Sequence, residues 1–186
     1  MFFNSSYPRL HHSSIRSVVT DDYDGGRTLV QYLAEKGIKR IGGLFKSDDI
    51  QGTLRFSGFI DAVMKAGLPF SDKNVGWFTT ETRDRIPEVC SGTIRSILSE
   101  CEAVICYNDE VADILAGIMA SVPPEETSIR YIGSFDNVSS LHGLSGISTV
   151  SLGYPRDRMG RLITEKLINM LDGHHEESLV LPWTNE

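Results

Sequence analysis

Short apolar runs alternate along this chain with stretches of helical period. Arg40 to Phe45, Val75 to Phe78, Ala103 to Cys106, Tyr131 to Phe135 and Ile147 to Leu152 each read as a buried strand, and the inner runs empty into polar loops. Between them, Phe56, Phe59, Ile60, Val63 and Met64 recur at helical spacing from Thr53. Ile94, Ile97 and Leu98 follow a helix start near Pro87, and Val111, Ile114, Leu115, Ile118 and Met119 form another apolar stripe. The rhythm predicts an α/β fold built on a doubly wound parallel sheet. Such sheets bind small molecules in the crevice beyond the carboxyl ends of their strands.

Turn and cap residues sharpen the boundaries. Asp24 is expected to cap a helix whose apolar face is Leu29, Val30 and Leu33, with Gly37 ending it in the left-handed conformation. Gly67 marks the next helix end, and Pro123 with Pro124 breaks the helix that carries Met119. Ahead of these units, Phe2 with Phe3 and Ser17 to Thr20 predict two short strands. A helix from about Pro155 to Leu171 and a strand at Leu179 to Leu181 close the chain.

A length of 186 residues allows one good core and part of a second. The formal net charge of -7 and the lack of a Lys/Arg cluster argue against this segment gripping a polyanion, because duplex binding rests on phosphate neutralisation. Cys90, Cys101 and Cys106 match no zinc spacing, and Cys106 lies inside an apolar run, which points to a reduced, cytoplasmic protein. The start M-F-F-N-S-S-Y-P has no basic leader, and no apolar run approaches the roughly 20 residues of a membrane helix.

The residues at the predicted strand ends share a chemistry. They are Lys46, Asp48 and Asp49, then Thr80 and Glu81, then Asn108 and Asp109, then Asp136 and Asn137. Carboxylates and amides beside a cation suit a polyhydroxylated ligand, since each hydroxyl donates to a carboxylate and accepts from a cation. The same residue types cap helices, so Asp109 reads equally as a cap, whereas no strong helix follows Asp136. Arg55, in the first turns of a helix, would bring a planar fork to the same edge, against the alternative of a solvated helix arginine. Tyr154, just past a strand end, could stack on a sugar face, while Trp77 reads as core. Asn4, near the amino end, joins the candidates.

His11-His12 and His174-His175 lie in polar turns without metal-ligand partners, and no cofactor or metal is expected. G-x-S-x-G, P-loop and G-x-G-x-x-G motifs are missing, and Gly25-Gly26 opens a helix without the rest of a phosphate fingerprint.

Particular strings carry a family resemblance. V-V-T-D-D-Y-D-G-G-R from Val18 to Arg27, Y-L-A-E-K-G-I-K-R-I-G-G-L-F-K-S-D-D-I-Q-G ending at Gly52, R-F-S-G-F from Arg55 and Y-N-D at Tyr107 resemble the effector domain of lactose/galactose-repressor-type regulators. The I-G-G-L-F-K-S-D-D-I-Q-G and W-F-T-T-E strings most resemble arabinose-responsive repressors, which join that domain to a winged helix of the GntR type. The resemblance implies a periplasmic-binding-protein-like fold of type I and a sugar effector, bound by Arg55, the Asn108-Asp109 pair and Asp136. Lys46 and Glu81 match less widely shared positions, and Tyr154 stands where arabinose repressors tend to carry histidine.

It also implies a homodimer that meets operator DNA only through a headpiece this chain does not carry. Residues 21–150 would be a carboxy-terminal subdomain, with 1–20 and 151–186 parts of the other lobe, so that the chain is one complete subdomain plus part of a second. A transporter's periplasmic sugar carrier and a small sugar-active enzyme are the alternative readings.

Overall fold

The computed structural model of the protein describes residues 2–3, 16–138 and 146–184. Two parallel sheets organise the chain. The smaller joins β1 (Phe2–Phe3), β2 (Ser17–Thr20) and β8 (Leu179–Leu181) in the order β1-β2-β8. The larger has the order β4-β3-β5-β6-β7, with β3 at Ile41–Lys46, β4 at Val75–Phe78, β5 at Ala103–Cys106, β6 at Tyr131–Asp136 and β7 at Ser148–Gly153. After β3 the chain steps outward to β4, then returns past β3 to β5. The carboxyl ends of β3 and β5 therefore flank the point where the winding reverses, which is where open α/β sheets place ligands.

Six α-helices, with three short 3-10 turns, complete the described fold. These are α1 (Asp22–Glu35), α2 (Ile50–Lys65), α3 (Ile86–Val89), α4 (Ser91–Glu100), α5 (Asp109–Met119) and α6 (Arg156–Leu171). Period-2 alternation sends the strand side chains to opposite faces. Leu44, Val104, Cys106 and Ile132 pack with Ile94, Ile97, Val111 and Leu115 of α4 and α5. Phe45, Ile105, Phe135 and Leu152 pack on the other face with Leu29, Leu33, Phe59 and Val63 of α1 and α2. A third cluster, Val18, Met159 and Leu181, joins α6 to the small sheet.

Boundaries follow local chemistry with some displacements from expectation. Gly37 and Gly67 adopt φ of 79° and 63°, as helix-ending glycines should. The cap of α1 is Asp21, whose carboxylate accepts the Asp24 amide at 2.9 Å, so Asp24 is a first-turn residue instead of the cap. The helix expected from Pro87 is two helices, α3 and α4, meeting at Cys90. Met64 is 59% exposed and Trp77 40% exposed, so neither is core. Trp77 lies on the edge strand β4, where its ring packs against Phe56 with centroids 4.8 Å apart.

Two close approaches hold the layers in place. A Cβ on Gly26 would lie 2.1 Å from the Arg55 carbonyl oxygen, and one on Gly58 would lie 1.9 Å from that of Tyr23. Helices α1 and α2 thus cross backbone to backbone, which only glycine permits. The chain runs between the two sheets three times: from β2 into α1, from β7 into α6, and from β8 to Thr184. There Thr184 forms an antiparallel pair with Gly153.

Candidate functional site

The carboxyl edge of the large sheet gathers most of the expected residues. Arg55 extends from α2 beneath that edge and is 2% exposed, so it is not a solvated helix arginine. Its Nε donates to Asp22 Oδ1 at 2.9 Å, and its Nη1 donates to the Tyr107 carbonyl. The guanidinium faces the rings of Phe135 at 4.3 Å, Tyr107 at 4.8 Å and Trp183 at 5.0 Å. A planar, weakly hydrated cation is suited to such a box.

Asp22 occupies the first turn of α1 and is 3% exposed. Besides Arg55 it accepts from Thr20 Oγ1 at 3.3 Å and from the Gln51 side chain. Burial raises its pKa despite the opposing pull of the guanidinium.

Asp136 ends β6 with φ 94°, and Asn137 follows at 47°. Asp and Asn are among the residues other than glycine that most readily adopt left-handed backbone, so these two can form the turn that leaves the sheet edge. Burial raises the Asp136 pKa; Arg55 opposes that shift, Asp109 adds to it, and the Asn108 side chain hydrogen-bonds the carboxylate. Asn108 is at the same time the N-cap of α5, its Oδ1 accepting from Val111 N at 3.1 Å. One residue thus fixes a helix start and presents its amide to Asp136. Arg55, Asn108 and Asp136 share one locus, as strand-end placement requires.

Asp109 is placed differently. It is 1% exposed, and its carboxylate accepts from Ser134 Oγ at 2.5 Å, Ser151 Oγ at 2.7 Å and Val138 N at 2.7 Å. That network ties α5 to β6, β7 and the turn after β6. The cap of α5 is Asn108, not Asp109, whose carboxylate is engaged by these bonds beneath the edge.

Lys46 lies at the other end of the edge, 3.0 Å from Asp49 and 3.8 Å from Asp48. Tyr107 links the two regions, since its hydroxyl donates to Asp49 Oδ2 at 2.7 Å and its ring lies under both Lys46 and Arg55. Glu81 is exposed in the turn after β4 and is not drawn into the Arg55 locus. Tyr154 is half-buried past β7, its ring 5.9 Å from that of Trp183. Its pKa is raised by burial, then by the nearby Asp136 and Asp22 carboxylates. Asn4 and His11-His12 lie outside the described residues.

Three participants escaped the sequence reading: Asp22, Tyr107 as a partner, and Trp183. Asp22 is one of three aspartates in D-D-Y-D, all suited to a helix start. Trp183 follows the last short strand, where no periodicity marks it.

A wound parallel sheet with an aromatic-lined arginine and a carboxylate at its carboxyl edge defines an α/β domain of the kind that places ligands at that edge. The chain belongs to the periplasmic binding protein-like domain family, whose model matches residues 30–184. It is 28% identical over 162 residues to an arabinose metabolism transcriptional repressor of Halalkalibacterium halodurans, covering 84% of this chain and 42% of that protein. It is 32% identical over 161 residues to the repressor of the same name from Geobacillus stearothermophilus, covering 83% and 43%. The chain therefore spans less than half the length of these relatives.

Among solved structures, the transcriptional regulator CelR in complex with cellobiose superposes with a TM-score of 0.75 at 21% identity, covering 98% of this chain and 55% of that one. A periplasmic binding protein/LacI transcriptional regulator from Alkaliphilus metalliredigens complexed with D-xylulofuranose gives 0.71 at 19% identity, covering 98% and 66%. At these identities the match is one of fold.

Proposed function

We propose that this chain is the effector-binding portion of a sugar-responsive transcriptional repressor, with L-arabinose or a related sugar as effector. The observation that carries the reading is the convergence of Arg55, Asn108 and Asp136 at the carboxyl edge of the sheet, beside Tyr107, Tyr154 and Trp183. A cation, an amide, a carboxylate and aromatic faces are the groups a sugar ring needs. The names of the two repressor relatives support the pentose.

On this reading Lys46 and Glu81 contribute at the rim, Asp109 supports Asn108 and Asp136 from below, and the protein binds sugar without turning it over. It works in the cytoplasm as a homodimer. DNA contact belongs to a separate segment, in keeping with a net charge of -7 here. Residues 21–150 form the carboxy-terminal subdomain, with 1–20 and 151–186 belonging to the other lobe. A sugar shifts the repressor only by binding one arrangement of the lobes better than the other.

Titration calorimetry with L-arabinose and glucose tests this. Arabinose should bind preferentially, and Asp136→Ala should weaken it by roughly ten- to a hundredfold, the loss of a charged hydrogen bond worth about 1.5–3 kcal/mol. Unchanged affinity in Asp136→Ala removes that residue from the site, and preference for glucose removes the pentose.

A further inference from the structure

Arg55 is enclosed on every side that the structure describes, and its covers are not equivalent. Asp22 is fixed at the start of a capped helix. Tyr107 is held by its amide on the Leu44 carbonyl at 2.8 Å and its hydroxyl on Asp49. Phe135 lies within β6, paired in register with Leu152 of β7. Tyr107 and Trp183 both lie outside helices and strands, but Trp183 lacks the two anchors of Tyr107: it follows β8, next to the antiparallel pair that Thr184 makes with Gly153.

The seat of the indole is specific and imperfect. It lies over Gly25, where a Cβ would meet Trp183 Cδ1 at 2.8 Å, Trp183 Nε1 at 3.0 Å and Phe135 Cε1 at 2.8 Å. Yet Nε1 is buried with no hydrogen-bond partner among the described residues. A buried donor without an acceptor disfavours the seated position, and it supplies a donor for whatever acceptor comes near.

We infer that Trp183 is the gate to Arg55: the indole occupies the approach to the guanidinium, yields it to an incoming ligand, and then contacts that ligand through its ring face and Nε1. A hydroxyl-bearing ring suits both roles, being an acceptor for Nε1–H and presenting C–H groups to an aromatic face. The ligand class rests on the reading under Proposed function; the gate rests on the enclosure of Arg55.

Labelling without ligand tests the gate by itself. Phenylglyoxal modification of Arg55, located by peptide mass spectrometry, is compared in the wild type, Trp183→Ala and Gly25→Ala, the last crowding the indole and the Phe135 ring without deleting either. Cys106, fully buried in the sheet, must stay unreactive to a thiol reagent in each variant, which certifies that it is folded. Arg55 should be protected in the wild type and modified at least tenfold faster in both variants. Continued protection of Arg55 in the folded variants overturns the gate.

A second arm uses Trp77→Phe, which leaves Trp183 as the sole emitter of the chain's two tryptophans. Saturating L-arabinose should shift its emission. Calorimetric binding with unchanged emission also overturns the gate. Faster labelling with no binding of any pentose leaves the gate standing and removes the sugar.

Discussion

Arg55 and Asp22 are 33 positions apart in the chain, yet the Arg55 Nε and Asp22 Oδ1 meet at 2.9 Å with both side chains almost wholly buried. The raised Asp22 pKa says that desolvation outweighs the attraction of the guanidinium for this carboxylate. Such a pair organises a site more than it stabilises a fold.

Breaking the pair from one side should be costly. Arg55→Ala leaves a carboxylate buried without its cation, and a loss of about 3–5 kcal/mol is expected in urea unfolding. Combining Arg55→Met with Asp22→Asn should cost less than the sum of the two single changes. Additive losses in that cycle would mean that the two groups do not interact.

The seat of Asp109 gives a smaller effect. Ser134 is fully buried and donates to Asp109 at 2.5 Å, so Ser134→Ala should destabilise by about 1.5–3 kcal/mol. Ser99→Ala, whose exposed hydroxyl only meets carbonyls of its own helix, should stay within about 0.5 kcal/mol. Equal midpoints for the two variants would contradict this account of the network.

Asp136 predicts a pH dependence with an unusual sign. Its folded pKa lies above the ordinary value of 3.8, so the folded state holds the proton more tightly than the unfolded chain does. The contribution of this group to stability is full below 3.8 and is lost as pH rises through the folded pKa. Asp136→Asn, which tolerates φ 94°, should therefore raise the melting temperature at pH 7, and the gain should fade in acid. A lowered melting temperature at neutral pH would refute the burial argument.

Glycine substitutions should divide by location. Gly58→Ala drives a methyl into the Tyr23 carbonyl and should cost about 1–3 kcal/mol or more. Gly117→Ala, in α5 with nothing within 4 Å of the added carbon, should stabilise by about 0.4–1 kcal/mol. Thermal unfolding of both variants checks the opposite signs.

Strand identities were legible because a strand buried on both faces must be apolar throughout, as Ala103–Cys106 is. Asn108 and Asp136 followed from strand ends, and Arg55 from the first turns of the helix after β3, since the topology puts those ends on one edge. What stayed hidden depends on contacts between distant segments. Nothing in the spacing of Asp109, Ser134 and Ser151 announces that they share hydrogen bonds. Trp77 has the composition of a core residue, and only its place on the edge strand leaves it exposed. Gly25 and Gly26 carry no phosphate fingerprint, and spacing alone does not show that one seats an indole and the other admits a neighbouring backbone.

The crossing at Gly26 and Gly58 has a mechanical consequence. With α1 and α2 touching backbone to backbone, the elements that carry Asp22 and Arg55 form one stiff block with the large sheet. Any swing of the small sheet relative to that block must be taken up by torsion in the three connecting strips, at Asp21, at Tyr154-Pro155 and at Pro182-Trp183. One of those strips carries Trp183 against the arginine and another carries Tyr154 against Trp183, so a bend in the linkage and a change in the surroundings of Arg55 are one displacement seen from its two ends.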